Sequence, residues 1–99
     1  MNGASLLKCI CDETRFEMLE LLQKNKEMCV NDFVKLVRKD QPLVSHHLKT
    51  LKQCGIVKSK ENGKKMMYSI SNNQLSELIG NITKASKKIP TLCNDKNCC

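Results

Sequence analysis

Seven cysteines and two histidines are the side chains of this 99-residue chain best suited to holding a soft ion or exchanging electrons. Their placement is uneven. Cys9 and Cys11 lie near the start, Cys29 and Cys54 stand alone, and Cys93, Cys98 and Cys99 crowd the last residues. Three thiolates without a nitrogen ligand suit a thiophilic ion of low coordination number. Trivalent arsenic or antimony takes three sulfurs in a pyramid, and adjacent cysteines can supply two of them, whereas zinc asks for a fourth ligand. Cys93, Cys98 and Cys99 are therefore the candidate metal ligands. The alternative set is Cys9, Cys11 and Cys29. Residues two apart point to nearly opposite sides of a helix, so Cys9 and Cys11 reach one ion only if the helix frays. Cys29 also fits a helix-capping place against the core, and Cys54 reads as core filler. Both histidines, His46 and His47, fall in one segment, so a nitrogen/oxygen site for zinc, cobalt or nickel is not expected.

The charge balance points to a polyanionic partner. Seventeen Lys and Arg face ten Asp and Glu, a formal net charge of +7, and neutralised phosphates release counterions. With Phe16, Phe33 and Tyr68 as the only aromatics, there is little to stack unpaired bases on, so duplex DNA is the expected partner. The polar first residues do not read as a signal peptide, and no run approaches membrane-spanning length. The expected setting is a reducing cytoplasm, with no membrane partner and with thiols that are free, metal-bound or redox-active. Neither a paired Cys-His arrangement outside one helix nor a phosphate-cradling glycine loop is present, which argues against an enzyme.

These side chains need elements to position them, and residues 40–55 form the organising one. Asp40 caps a helix, Pro42 sits in its first turn, and Gly55 follows its last. Val44, Leu48 and Leu51 recur at helical spacing with His47 on their side, while Gln41, Ser45, His46, Lys49 and Lys52 occupy the other. Three helices are expected before it. A short one carries Leu6, Leu7 and Ile10. The second runs from Glu13 to about Lys24 over Phe16, Leu19 and Leu22, with Met18 and Leu21 flanking. The third runs from near Val30 to Lys39 over Val30, Phe33, Leu36 and Val37. The third helix, a tight turn and the polar-faced helix make a helix-turn-helix. Residues 56–61 and 64–70 then read as strands around an Asn62-Gly63 type I′ turn. Lys58, Lys60, Lys64 and Lys65 surround its tip, as in a basic wing. Ser71 or Asn72 caps a last helix to about Lys88, with Leu75, Leu78, Ile79 and Ile82 on one stripe. The expected fold is mainly α with a small β-hairpin, a winged helix-turn-helix of order α-α-α-α-β-β-α. Residues 1–89 form the DNA-binding and dimerisation domain, and residues 90–99 a loosely structured cysteine-bearing tail. The stripes of the first and last helices are expected to pair two copies into a homodimer.

Several segments carry a family likeness: Asp12-Glu13-Thr14-Arg15, Glu27-Met28-Cys29-Val30-Asn31-Asp32, Gln41-Pro42-Leu43-Val44-Ser45-His46-His47-Leu48, Gly55-Ile56-Val57, and the Asn62-Gly63 wing ending in Tyr68-Ser69. Together they resemble the ArsR/SmtB metalloregulators, dimeric winged-helix repressors released from DNA by a metal or metalloid. The resemblance implies that Gln41, Ser45 and His46 face the major groove and that Lys49 meets phosphate, with Lys64 and Lys65 on the wing. It also implies operator release by As(III), Sb(III) or another thiophilic ion as inducer, no cofactor being needed for DNA binding. Some arsenic-responsive members carry cysteine triads after the last helix. The familiar carboxylate-histidine site of the last helix is replaced here by Asn72, Gln74, Ala85 and Lys88, and the familiar Cys-Val-Cys by Cys29-Val30-Asn31. Two alternatives remain open on the same fold. One is a cadmium or lead sensor. The other is a thiol/disulfide sensor pairing Cys9 or Cys11 with a later cysteine.

Overall fold

The computed structural model describes residues 1–90 and places five helices and one hairpin in the expected order: α1 (Gly3–Ile10), α2 (Glu13–Asn25), α3 (Val30–Val37), α4 (Gln41–Gln53), β1 (Val57–Asn62), β2 (Lys65–Ile70) and α5 (Asn73–Lys88). The expected tail and its Cys93, Cys98 and Cys99 lie outside the described residues.

Side-chain caps start most of the helices. Asn2, Asp12, Asp40 and Asn72 accept from the backbone N–H three residues on, at 2.9, 3.0, 3.2 and 2.8 Å, satisfying donors that the first helical turn leaves free. Cys29 stands at the N-cap of α3, and its own N–H donates to the Asp32 carboxylate at 3.1 Å. The turn from α3 into α4 is made by Arg38 in the left-handed region, φ 58°, a conformation uncommon for a residue with a Cβ. It shortens α3 to end at Val37, two residues before its expected end.

The core is built by α2, α3 and α4 with the hairpin and α5 closing over them. Phe33, Met18, Leu19, Leu22, Leu48, Leu51, Ile56, Ile79 and Val44 are its fully buried side chains. Two expected core positions come out differently. Met18 is fully buried while Phe16 is only half-buried, and Leu36 is 52 % exposed. Periodicity marks a stripe about 100° wide, and neighbours decide which edge of it is covered. A third difference concerns α5, whose whole stripe the sequence leaves for a second copy. Ile79 is completely buried and Leu75 and Ile82 pack against the core, and Thr83 Oγ1 donates to the Glu20 carboxylate of α2 at 2.6 Å. What remains exposed is narrower, with Leu78 at 39 % on α5 and Leu7 at 58 % on α1.

β1 and β2 pair antiparallel, Val57 opposite Ile70 through Asn62 opposite Lys65. The turn is therefore Gly63-Lys64, one residue later than expected. Gly63 takes φ 67° and Lys64 is not in the positive region, so it is no type I′ turn, which needs positive φ at both central residues. Placing Gly63 first in the turn gives the positive φ to a residue without a Cβ, while Asn62 stays in the strand opposite Lys65. An unexpected backbone pair joins Met28 to Tyr68, N–H to carbonyl at 3.0 and 2.8 Å in the two directions. It fastens the start of α3 to the middle of β2. At the other end, Gly55 follows α4 with φ 79°, where a side chain would be strained. Its carbonyl accepts from Ser71 Oγ at 2.7 Å.

Leu48→Ala is expected to cost about 2–5 kcal/mol, whereas Leu36→Ala, at an exposed place, should stay within about 0.5 kcal/mol. Urea unfolding followed by circular dichroism checks the pair.

Candidate nucleic-acid interface

α4 separates its two faces cleanly. Val44, His47, Leu48 and Leu51 are buried, while Gln41, Ser45, His46, Lys49, Lys52 and Gln53 are exposed. Full burial of each aliphatic side chain contributes roughly 1.5–3 kcal/mol, enough to hold the phase of the helix against any pull on its outer side. The four expected α4 residues, Gln41, Ser45, His46 and Lys49, thus share one solvent-facing surface. It offers hydroxyl, amide and imidazole groups, which can hydrogen-bond base edges, beside an ammonium suited to phosphate.

Lys64 and Lys65 are exposed at the hairpin tip. Lys60 is engaged differently: its Nζ lies 3.0 Å from Glu27 Oε1. That pair is solvated and contributes little energy, but it ties the hairpin to the segment before α3. Lys58 and the tip lysines have no such partner among the described residues. The wing thus presents its positive charge at and around its turn.

His47 behaves as a packed residue. It is 8 % exposed, its Nε2 lies 4.0 Å from Asp12 Oδ2, and its Nδ1 is buried without a hydrogen-bond partner among the described residues. Burial pushes its pKa below the ordinary 6.5. The Asp12 carboxylate pulls it back only in part, and Arg15 and His46 add to the depression. Asp12 itself is held below its ordinary 3.8, chiefly by the Arg15 N–H donating to it, against the opposing effect of burial. Arg15 also reaches back, its Nε donating to the Cys9 carbonyl at 2.8 Å. The end of α1, the start of α2 and the middle of α4 therefore meet around Asp12, Arg15 and His47.

The cysteines of the described residues do not gather. Cys29 is buried, Cys11 is exposed, and Cys9 is joined by a disulfide to Cys54, with their Cα atoms 6.6 Å apart. Cys54 packs partly buried against the core, as expected, and is in addition bonded to Cys9. Its sulfur turns toward α1, a contact between elements 45 residues apart that no local pattern reveals. Among the described residues no three Cys, His, Asp or Glu side chains converge on a metal-ion position. Cys9, Cys11 and Cys29 in particular are not brought together.

Residues 12–59 match the family model described as bacterial regulatory protein, arsR family. The chain is 40% identical over 78 residues to an uncharacterized HTH-type transcriptional regulator of Methanocaldococcus jannaschii, spanning 79% of this chain and 88% of that one. It belongs to the ArsR family. Two staphylococcal regulators agree. A cadmium-resistance regulator homologue of Staphylococcus aureus is 32% identical over 80% of this chain and 65% of its own. An arsenical-resistance operon repressor of Staphylococcus xylosus is 33% identical over 80% and 75%. Among solved structures, a homodimeric winged helix-turn-helix DNA-binding domain from Mycobacterium bovis superposes with a TM-score of 0.79 at 21% identity, covering 86% of this chain and 78% of that one. The fold is thereby a winged helix-turn-helix, and family and fold are those of DNA-binding transcriptional regulators. No helix of the described residues is long and apolar enough to cross a membrane.

His47 and Asp12 give the fold a defined acid sensitivity. Both folded-state pKa values lie below the unfolded ones, so the unfolded chain takes up more protons as pH falls. Stability is full above about 6.5 and is lost as pH drops through the depressed His47 value, with a further loss below about 3.8 from Asp12. Urea midpoints between pH 7.5 and 5 should fall for the native chain and vary less for His47→Gln.

Proposed function

We propose that the chain is a homodimeric, cytoplasmic repressor that reads a double-stranded operator with Gln41, Ser45 and His46. In this reading Lys49, Lys64 and Lys65 hold the phosphates, and no cofactor is required for DNA binding. The observation that carries it is the split of α4, whose base-reading candidates are exposed together on the face opposite Val44, Leu48 and Leu51. Two copies set their recognition helices in half-sites about one helical turn apart, paired through α1 and α5. The apolar side chains Leu7 and Leu78, left exposed on those helices, support that pairing.

Release follows from binding a thiophilic ion, As(III) or Sb(III), through Cys93, Cys98 and Cys99. The absence of a convergent ligand set among the described residues, the three-sulfur chemistry of these ions and the likeness to an arsenical-resistance repressor support this reading. The likeness to a cadmium-resistance regulator favours a second ion on the same thiolates. A coupling of only about 1–3 kcal/mol between the ion and DNA changes operator affinity some five- to 150-fold.

Ser45→Ala or His46→Ala should weaken the preferred duplex by about 1–3 kcal/mol and relax its sequence preference. Lys64→Ala or Lys65→Ala should weaken all duplexes alike and lower the salt slope by about 1. Fluorescence anisotropy across a salt series separates the two classes, and identical behaviour of both would overturn the assignment. On adding arsenite to the reduced protein–DNA complex, the native chain should dissociate while a Cys93/Cys98/Cys99 triple serine variant stays bound.

A further inference from the structure

The bond between Cys9 and Cys54 joins two elements whose relation matters for DNA binding. Cys9 is on the last turn of α1, and Cys54 is the C-cap of α4, where the recognition helix hands over to the wing. That junction is also held by Leu51, Ile56 and Val57, all buried in the core, and by hydrogen bonds. Ile56 N–H donates to the Leu51 carbonyl at 3.0 Å, Ser71 N–H to the Ile56 carbonyl at 2.9 Å, and Ser71 Oγ to the Gly55 carbonyl at 2.7 Å. On the α1 side, Arg15 Nε holds the Cys9 carbonyl at 2.8 Å, while the Asp12 carboxylate beside it faces His47 in the middle of α4. The disulfide therefore adds a covalent link from α1 to the far end of α4, where helix and wing join. Both cysteines are partly exposed, so a small oxidant or reductant reaches the pair.

We propose that Cys9 and Cys54 are a reversible oxidation site that sets operator affinity. This inference rests on the operator-binding reading above and uses neither the tail cysteines nor a metal ion. A peroxide is the oxidant. One thiolate attacks a peroxide oxygen, the O–O bond breaks, and a sulfenic acid and a water result. The second thiolate then attacks that sulfur, the S–O bond breaks, and a second water leaves. Two thiols and one hydrogen peroxide thus give one disulfide and two waters, the two sulfurs supplying the two electrons. A dithiol reverses it by exchange through a mixed disulfide. The bridged state fixes α1, whose one buried residue is Ile10, to the C-cap of α4, so less ordering remains to be done when the molecule docks on DNA. Bridged protein binds the tighter, and reduction loosens the grip.

The test uses the full chain and a duplex selected from a random library by the native protein. Mass mapping after hydrogen peroxide should find Cys9 linked to Cys54, and anisotropy should give an affinity at least about five-fold higher for the bridged than for the dithiol-reduced protein. Cys9→Ser and Cys54→Ser should each bind like the reduced native chain whether or not peroxide is added, while Cys11→Ser should keep the response. Because the central comparison uses native protein in two redox states, misfolding of a variant does not decide it. Equal affinities, weaker binding by the bridged form, or a map that pairs other cysteines overturns the inference. Selection of a duplex that then ignores the redox state removes this inference alone. Failure to select any duplex removes the operator reading and this inference with it.

Discussion

The inward face of α4 is the constraint on which the rest of the molecule depends. Val44, Leu48 and Leu51 are buried to within one per cent of completely, and they meet Phe33 of α3, Met18 and Leu19 of α2 and Ile56 of the strand approach in one cluster. Burial on that side leaves the helix a single rotational phase. The outward phase is then not a separate choice: Gln41, Ser45, His46 and Lys49 face solvent because their neighbours cannot. A polar surface made this way stays rigid without its own side chains contributing to stability.

His47 shows how closely the two faces are drawn. It neighbours an exposed histidine, their ring centroids 5.8 Å apart, yet it is packed against the α1–α2 corner with one ring nitrogen unpartnered. A buried polar atom without a partner costs free energy, and the same burial pushes the pKa of His47 down. The same corner holds Arg15 and the Cys9 carbonyl. One small polar cluster thus docks the end of α1 beside the middle of α4, and the disulfide from Cys9 docks it at the C-cap of α4.

The hairpin is fixed by contacts on both of its sides. Ser71 and Ile56 close its base, Met28 and Tyr68 exchange backbone hydrogen bonds along its length, and Lys60 meets Glu27 at the edge. Its tip alone extends free. Lysines placed there carry a charge whose position relative to α4 is held by the whole hairpin, a suitable arrangement for gripping phosphates beside a helix in the groove.

Caps, turns and periodicity made much of this legible in advance. Asp12, Asp40 and Asn72 mark helix starts, Gly55 marks an end, and the periodicity of α4 separated its polar face from the core, because these are interactions among residues three or four apart. The family likeness rested on the same local motifs. What the local pattern could not supply were relations between distant residues. The hairpin pairs Val57 with Ile70 and Asn62 with Lys65, so its turn falls at Gly63-Lys64. Leu36 lost its place in the core to neighbours the periodicity does not see. Cys9 found Cys54 across 45 residues, since only the packing of α1 against the end of α4 brings those sulfurs together. The sequence by itself determined which elements form and which face of each is apolar, through local hydrogen bonds and side-chain spacing. The tertiary structure alone decided which edges of those faces are covered and which thiols meet, because both depend on how separate elements fill a common volume.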